Sequence, residues 1–145
     1  MSTGHLPSTI LSIMLTNVDC TVYNKYLVGH VETWQRVEIK AVQWEQRHAR
    51  QGNQDNDFTS VYIPFARGAD YLKPREWQAL ADKSGNWTLQ IGDVIVKGIV
   101  TNELVAGTFT LSDLKRTYDD VLVINSVDTR DYGSANMQHW EVTCR

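Results

Sequence analysis

Trp34-Gln35-Arg36-Val37-Glu38-Ile39-Lys40-Ala41-Val42-Gln43-Trp44 alternates apolar and polar residues with a period of two. On an extended chain, Val37, Ile39 and Ala41 share one side, and Arg36, Glu38 and Lys40 share the other. That is the pattern of a strand with one face in a core and one in water. The phase slips between Val42 and Trp44, which predicts a bulge or a strand end near Ala41. Upstream, Thr21-Val22-Tyr23-Asn24-Lys25-Tyr26-Leu27 is rich in strand formers and runs toward Gly29. Downstream, residues 59–65 place Val61, Ile63 and Phe65 on one face. Pro64 cannot donate to a ladder, so that strand ends there or lies at an edge.

The same period continues to the C-terminus. Residues 94–100 form a nearly unbroken apolar run after the turn signal Gly92-Asp93. Residues 121–127 read as another buried strand, and the chain closes with Trp140, Val142 and Cys144 alternating against Glu141, Thr143 and Arg145. Helix signals are sparse. Ser112 is a cap candidate for a turn or two over 112–118, and Pro74 stands near the start of another turn over 74–81. The fold predicted is mainly β: a small barrel or sandwich of about six strands with one or two short helices.

The whole chain of 145 residues reads as one domain. Residues 1–19 read as an N-terminal extension and residues 20–145 as the barrel core. Hydrophobic residues make up 42% and charged residues 21%, so a globular core is expected. Net charge is −3, with 14 Lys+Arg against 17 Asp+Glu. That disfavours a nucleic-acid binder working by bulk positive charge. Cys20 and Cys144 are too few for a disulfide framework and read as small buried or edge residues in a reducing compartment. The apolar run Ile10–Leu15 is too short to span a membrane and lacks the basic flank of a leader. A protein made in the cytoplasm, without a membrane partner, is expected.

Catalytic and metal motifs are missing. The four histidines form no HxxxH or HxH pattern, and no CxxC, GxSxG or phosphate-cradling glycine motif occurs. No enzyme activity, metal or cofactor is expected. Asp119-Asp120 reads as a solvated turn, since neighbours on an extended chain diverge. Five Trp and six Tyr allow a stacking platform for single-stranded nucleic acid or carbohydrate, but their spread favours a role in core and rim.

The most informative irregular segment is 45–58, polar and without an aliphatic residue beyond Ala49. It reads as a long loop between two strands, and loops of this length tend to carry function. Its candidate residues are Arg47, His48, Arg50, Gln51, Gly52, Asn53, Gln54 and Asp55. The next connection supplies a second set, Arg67, Tyr71, Lys73, Arg75 and Trp77, as a candidate subunit or partner interface. The basic members of both sets read either as solvated loop residues or as contacts to phosphate or acidic surfaces.

Several stretches in order carry a resemblance. They are Thr21–Lys25, the strand from Val37 to Trp44, the polar loop, Val61-Tyr62-Ile63-Pro64, and Trp87 through Gly98. Asp113-Leu114-Lys115, Tyr118-Asp119-Asp120, Ile124–Asp128, Tyr132-Gly133-Ser134 and His139–Val142 follow. In this order, over roughly residues 20–143, the chain resembles the small head–tail connector proteins of long-tailed bacteriophages and prophages, often labelled minor capsid or head-closure (stopper) proteins. The resemblance implies a virion protein at the head–tail junction. It would be a homo-oligomeric ring between portal or adaptor proteins and a tail-terminator protein, close to packaged double-stranded DNA. In stopper-type connectors a long loop enters the channel and retains DNA, and 45–58 is the matching position. Gly52, Asn53, Asp55 and Asp57 leave two readings open there: a movable gate, or a segment ordered only on assembly. A tail-terminator or tail-completion role is the near alternative, and a barrel module binding single-stranded nucleic acid or carbohydrate is the more distant one.

Overall fold

The computed structural model describes residues 18–51 and 54–145. Six strands form a closed antiparallel barrel in the order β1-β2-β3-β6-β5-β4. They are β1 Val18–Val28, β2 Val31–Gln51, β3 Gln54–Pro64, β4 Val94–Lys97, β5 Val121–Arg130 and β6 His139–Cys144. Two short helices, α1 Pro74–Gln78 and α2 Leu111–Thr117, lie in the connections. The expected six-strand β-barrel is the fold observed.

The alternating residues fill the barrel. Cys20 and Val22 of β1, Ile39 of β2, Val61 and Ile63 of β3, Ile95 of β4, Ile124 of β5, and Trp140, Val142 and Cys144 of β6 share one buried cluster. One end is packed with aromatics: Trp140 stands 4.3 Å from Tyr71 and 4.4 Å from Phe65 between ring centroids, and Trp87 packs on both Tyr71 and Trp140. Gly68 lets the chain pass here, because a Cβ at that position would sit 2.5 Å from the Trp140 ring.

A second core explains why residues 94–96 read as continuously apolar. Ile95 points inward, while Val94 and Val96 join Tyr23, Val100, Leu104 and Leu114 in a separate buried cluster. Both faces of β4 are covered, as in strands buried on two sides. The strand nevertheless stops at Lys97 rather than at residue 100, because Gly98 turns the chain at φ +90°. Thr21 then anchors the departing segment: its hydroxyl donates to Gly98 O (2.8 Å) and accepts from Val100 N (2.9 Å).

Two expectations need correction. Helix α2 is capped by Thr110, not Ser112. The Thr110 side chain accepts from Asp113 N, and the Asp113 carboxylate accepts from Thr110 N at 2.9 Å. The spacing is that of a capping box, two residues upstream of the expected cap. More consequential, 45–58 is not a loop. β2 runs for 21 residues, and β2 and β3 pair continuously from Gln43↔Tyr62 to Gln51↔Gln54. Backbone donors and acceptors close this ladder whatever the side chains are. A ribbon standing clear of the core needs no apolar face, so polarity alone does not distinguish it from a loop. Gly52 and Asn53, and the extension over residues 1–17, lie outside the described residues.

Candidate functional site

β2 is longer than the barrel and carries a hairpin out of each end. Toward its C-terminus the β3–β6 ladder covers only Thr59–Pro64. The pairs from Arg47↔Phe58 to Gln51↔Gln54 therefore form a free-standing two-stranded ribbon. At ~3.3 Å per residue it projects about 15 Å. Toward its N-terminus the β1–β4 ladder covers only Cys20–Tyr23. The pairs from Asn24↔Gln35 to Val28↔Val31 form a second projection, closed by Gly29 at φ +64° and His30.

The switch between the two lies at Ala41. Register with β1 jumps from Ile39↔Cys20 to Val42↔Val18, and pairing with β3 begins at Gln43. Ala41 takes φ +59°, its N–H donates to Asp19 Oδ1 (2.9 Å), and its carbonyl accepts from Arg67 Nε (3.4 Å). This is the bulge predicted from the phase slip. Ala41 therefore leaves the Val37–Ile39 face.

Of the ribbon candidates, Arg47 sits at the root. Its guanidinium donates to Tyr62 OH (2.6 Å) and pairs with Glu45 (2.8 Å), and the Tyr62 bond raises its pKa further. His48, Arg50, Gln51, Gln54 and Asp55 follow on the two paired strands, so with Arg47 six of the candidate positions share one projection. The interface set is divided. Arg67, Lys73 and Arg75 are exposed, whereas Tyr71 belongs to the aromatic cluster. Trp77 is fully buried and is not available to a partner, contrary to expectation. It packs against the β1–β2 hairpin, edge-on to Tyr26 at 5.7 Å, with its indole N–H donating to Asn86 O (3.2 Å). Trp44, Trp87 and Trp140 are buried as well, so these indoles offer no open stacking platform.

Sequence reasoning missed two features. The first is Asp93, read only as part of a turn. Its buried carboxylate accepts from Asn24 Nδ2 (2.8 Å), Lys25 N (3.0 Å), Gln90 N (3.1 Å) and Gln90 Nε2 (3.0 Å). Burial pushes its pKa up to about 6, while these donors pull the other way. Asp93 thus ties the 90–93 turn to the root of the β1–β2 hairpin. The second is that hairpin's apolar tip. Leu27, Val28 and Val31 are 58–60% exposed, and Ile91 is 73% exposed. The signal available was the run Leu27-Val28-Gly29-His30-Val31, in which apolar residues flank a turn that water should favour for polar ones.

No group of three His, Cys, Asp or Glu side chains placed to hold a metal ion occurs among the described residues. No described helix is long and apolar enough to cross a membrane. A family model described as a family of unknown function (DUF6751) matches residues 15–145. No curated protein and no solved structure matches the chain.

Proposed function

The chain belongs to the DUF6751 family, and we propose that it is a structural connector at the head–tail junction of a long-tailed bacteriophage. In this reading copies form a ring between portal or adaptor proteins and the tail-terminator protein, and the β2–β3 ribbon reaches toward the channel and helps retain packaged DNA. The observation that supports it most is β2 itself: a 21-residue strand that leaves the barrel at both ends, giving a small rigid body two projections for two neighbours. The ribbon sequence carries Arg47 and Arg50 against Asp55 and Asp57. Balanced charge suits a conduit wall that must hold DNA back without binding it tightly. A tail-terminator role would use the same body one step further along the tail. The protein would be made in the host cytoplasm and end in the virion.

Deleting the gene from the phage genome, followed by electron microscopy of the lysate, tests the reading. The expected result is free tails beside unjoined heads that have packaged DNA and leak it. Normal infectious particles would overturn it.

A further inference from the structure

Part of β2 turns one edge away from every other strand. Val28 and Val31 close the β1–β2 hairpin around Gly29 and His30, a two-residue turn whose flanking pair exchanges hydrogen bonds. Counting from that pair, Val31, Thr33, Gln35 and Val37 bond to β1, and the backbones of Glu32, Trp34, Arg36 and Glu38 point the other way. The same count turns Lys25 outward on β1, where Asp93 takes its N–H and Gln78 and Gln90 take its carbonyl. On β2 nothing answers. Pairing with β3 starts only at Gln43, and among the described residues the N–H and C=O groups of Glu32, Trp34, Arg36 and Glu38 have no partner. An edge of this kind is a template for one more strand. Two depressions border it: one of about 600 Å³ along 31–34, with Leu104 and Phe109, and one of about 400 Å³ along 35–38, with Trp87.

We propose that residues 8–14 of the same chain occupy this edge as a further strand, parallel to β2. The chain outside the described residues ends where the edge does. Val18 stands opposite Val42, just past the Ala41 bulge that closes the edge, and the Ala41 carbonyl is already taken by Arg67. Passing from the β1 side of β2 to its far edge means crossing two strand spacings, about 10 Å. The link from Met14 to Val18 spans up to about 14 Å. Upstream of that link, residues 8–14 equal positions 32–38 in length. Their sequence, Ser-Thr-Ile-Leu-Ser-Ile-Met, holds no charge, glycine or proline. Pro7, which has no N–H to give, sets the limit. Laid side by side, Ile10 falls beside Trp34, at the depression that Leu104 and Phe109 line, and Ser12 falls beside Arg36. Leu11 and Ile13 share the other face with Gln35 and Val37, toward Trp87. The apolar run at 10–15 thus meets Trp34 and Val37, both only half-buried as they stand.

The proposal is independent of the head–tail reading, and its test needs only the purified chain. Amide hydrogen exchange is followed by NMR for the full chain, for a deletion of residues 2–15, and for L11P/S12P. Two adjacent prolines remove a donor whichever of the two residues faces β2. In the full chain, the amides of Glu32, Trp34, Arg36 and Glu38 should exchange at least about tenfold more slowly than in either variant. The amides of Thr33, Gln35 and Val37, bonded to β1, should stay slow in all three and show that the barrel is intact. Equal exchange of the four outward amides in the full chain and the deletion, whether fast or slow, would overturn the proposal. Protection that survives L11P/S12P would do so too. Protection that grows with protein concentration would make a second copy the occupant and would likewise overturn it.

Discussion

At one end of β2, Val31 pairs with Val28 across Gly29 and His30; at the other, Gln51 pairs with Gln54. The two hairpins share a strand and an antiparallel ladder but are held differently. The β1–β2 projection is braced from below by Trp77 against Tyr26, and by Asp93 holding Asn24 and Lys25. The β2–β3 ribbon, among the described contacts, is fixed at its root by Arg47 on Tyr62 and Glu45. A braced hairpin can present apolar groups at a fixed angle, as docking demands. A ribbon that runs beyond the β3–β6 ladder suits a part whose position is set by what surrounds it.

The sharpest way to break this contrast is to remove the brace. Trp77→Ala should destabilise the fold by about 3–5 kcal/mol in denaturant unfolding, as expected for a fully buried indole. A near-zero cost would mean that the β1–β2 hairpin stands without support. Asp93→Asn comes next. The neutral amide resembles the protonated carboxyl that burial favours, so at neutral pH, where the wild type buries a charge, a gain of about 1–3 kcal/mol is expected. The sign with pH also follows. A carboxyl raised from 3.8 to about 6 binds its proton more tightly when folded. Its contribution is present below about pH 4 and lost as pH rises to about 6. Melting temperature should fall across that window in the wild type and flatten in Asp93→Asn.

Smaller effects probe the ribbon and the switch. Ala41→Gly should stabilise the protein by about 0.5–1 kcal/mol, because a left-handed conformation strains any side chain but costs glycine little. Shortening the ribbon by removing 48–51 and 54–57 keeps the Arg47↔Phe58 pair joined through Gly52-Asn53. It should change stability by less than about 1 kcal/mol, as measured by urea unfolding. A larger loss would show that the ribbon packs on the barrel and would end the contrast between the two projections.

How much of this was legible depended on where the core is. Val37, Ile39, Val61, Ile63, Trp140 and Val142 announced their strands because each second side chain is buried. The slip after Ala41 marked the switch between partners. Beyond the barrel that signal disappears: residues 47–51 have no apolar face to display, so the last third of the longest strand looked like a loop. Trp77 read as an interface residue because its neighbours Lys73 and Arg75 are charged, and nothing local revealed that a five-residue helix turns it inward. Asp93 depends on Asn24, 69 positions away, a contact that no local pattern encodes.

The continuity of β2 has a mechanical consequence. One backbone joins the two tips, with the Ala41 kink as its only break in register with β1. A pull along that backbone loads the flanking antiparallel ladders in shear, so their hydrogen bonds resist together instead of opening one after another. Tension or displacement at the ribbon would then be felt at the apolar tip with little slack, as along a tie rod with a single joint.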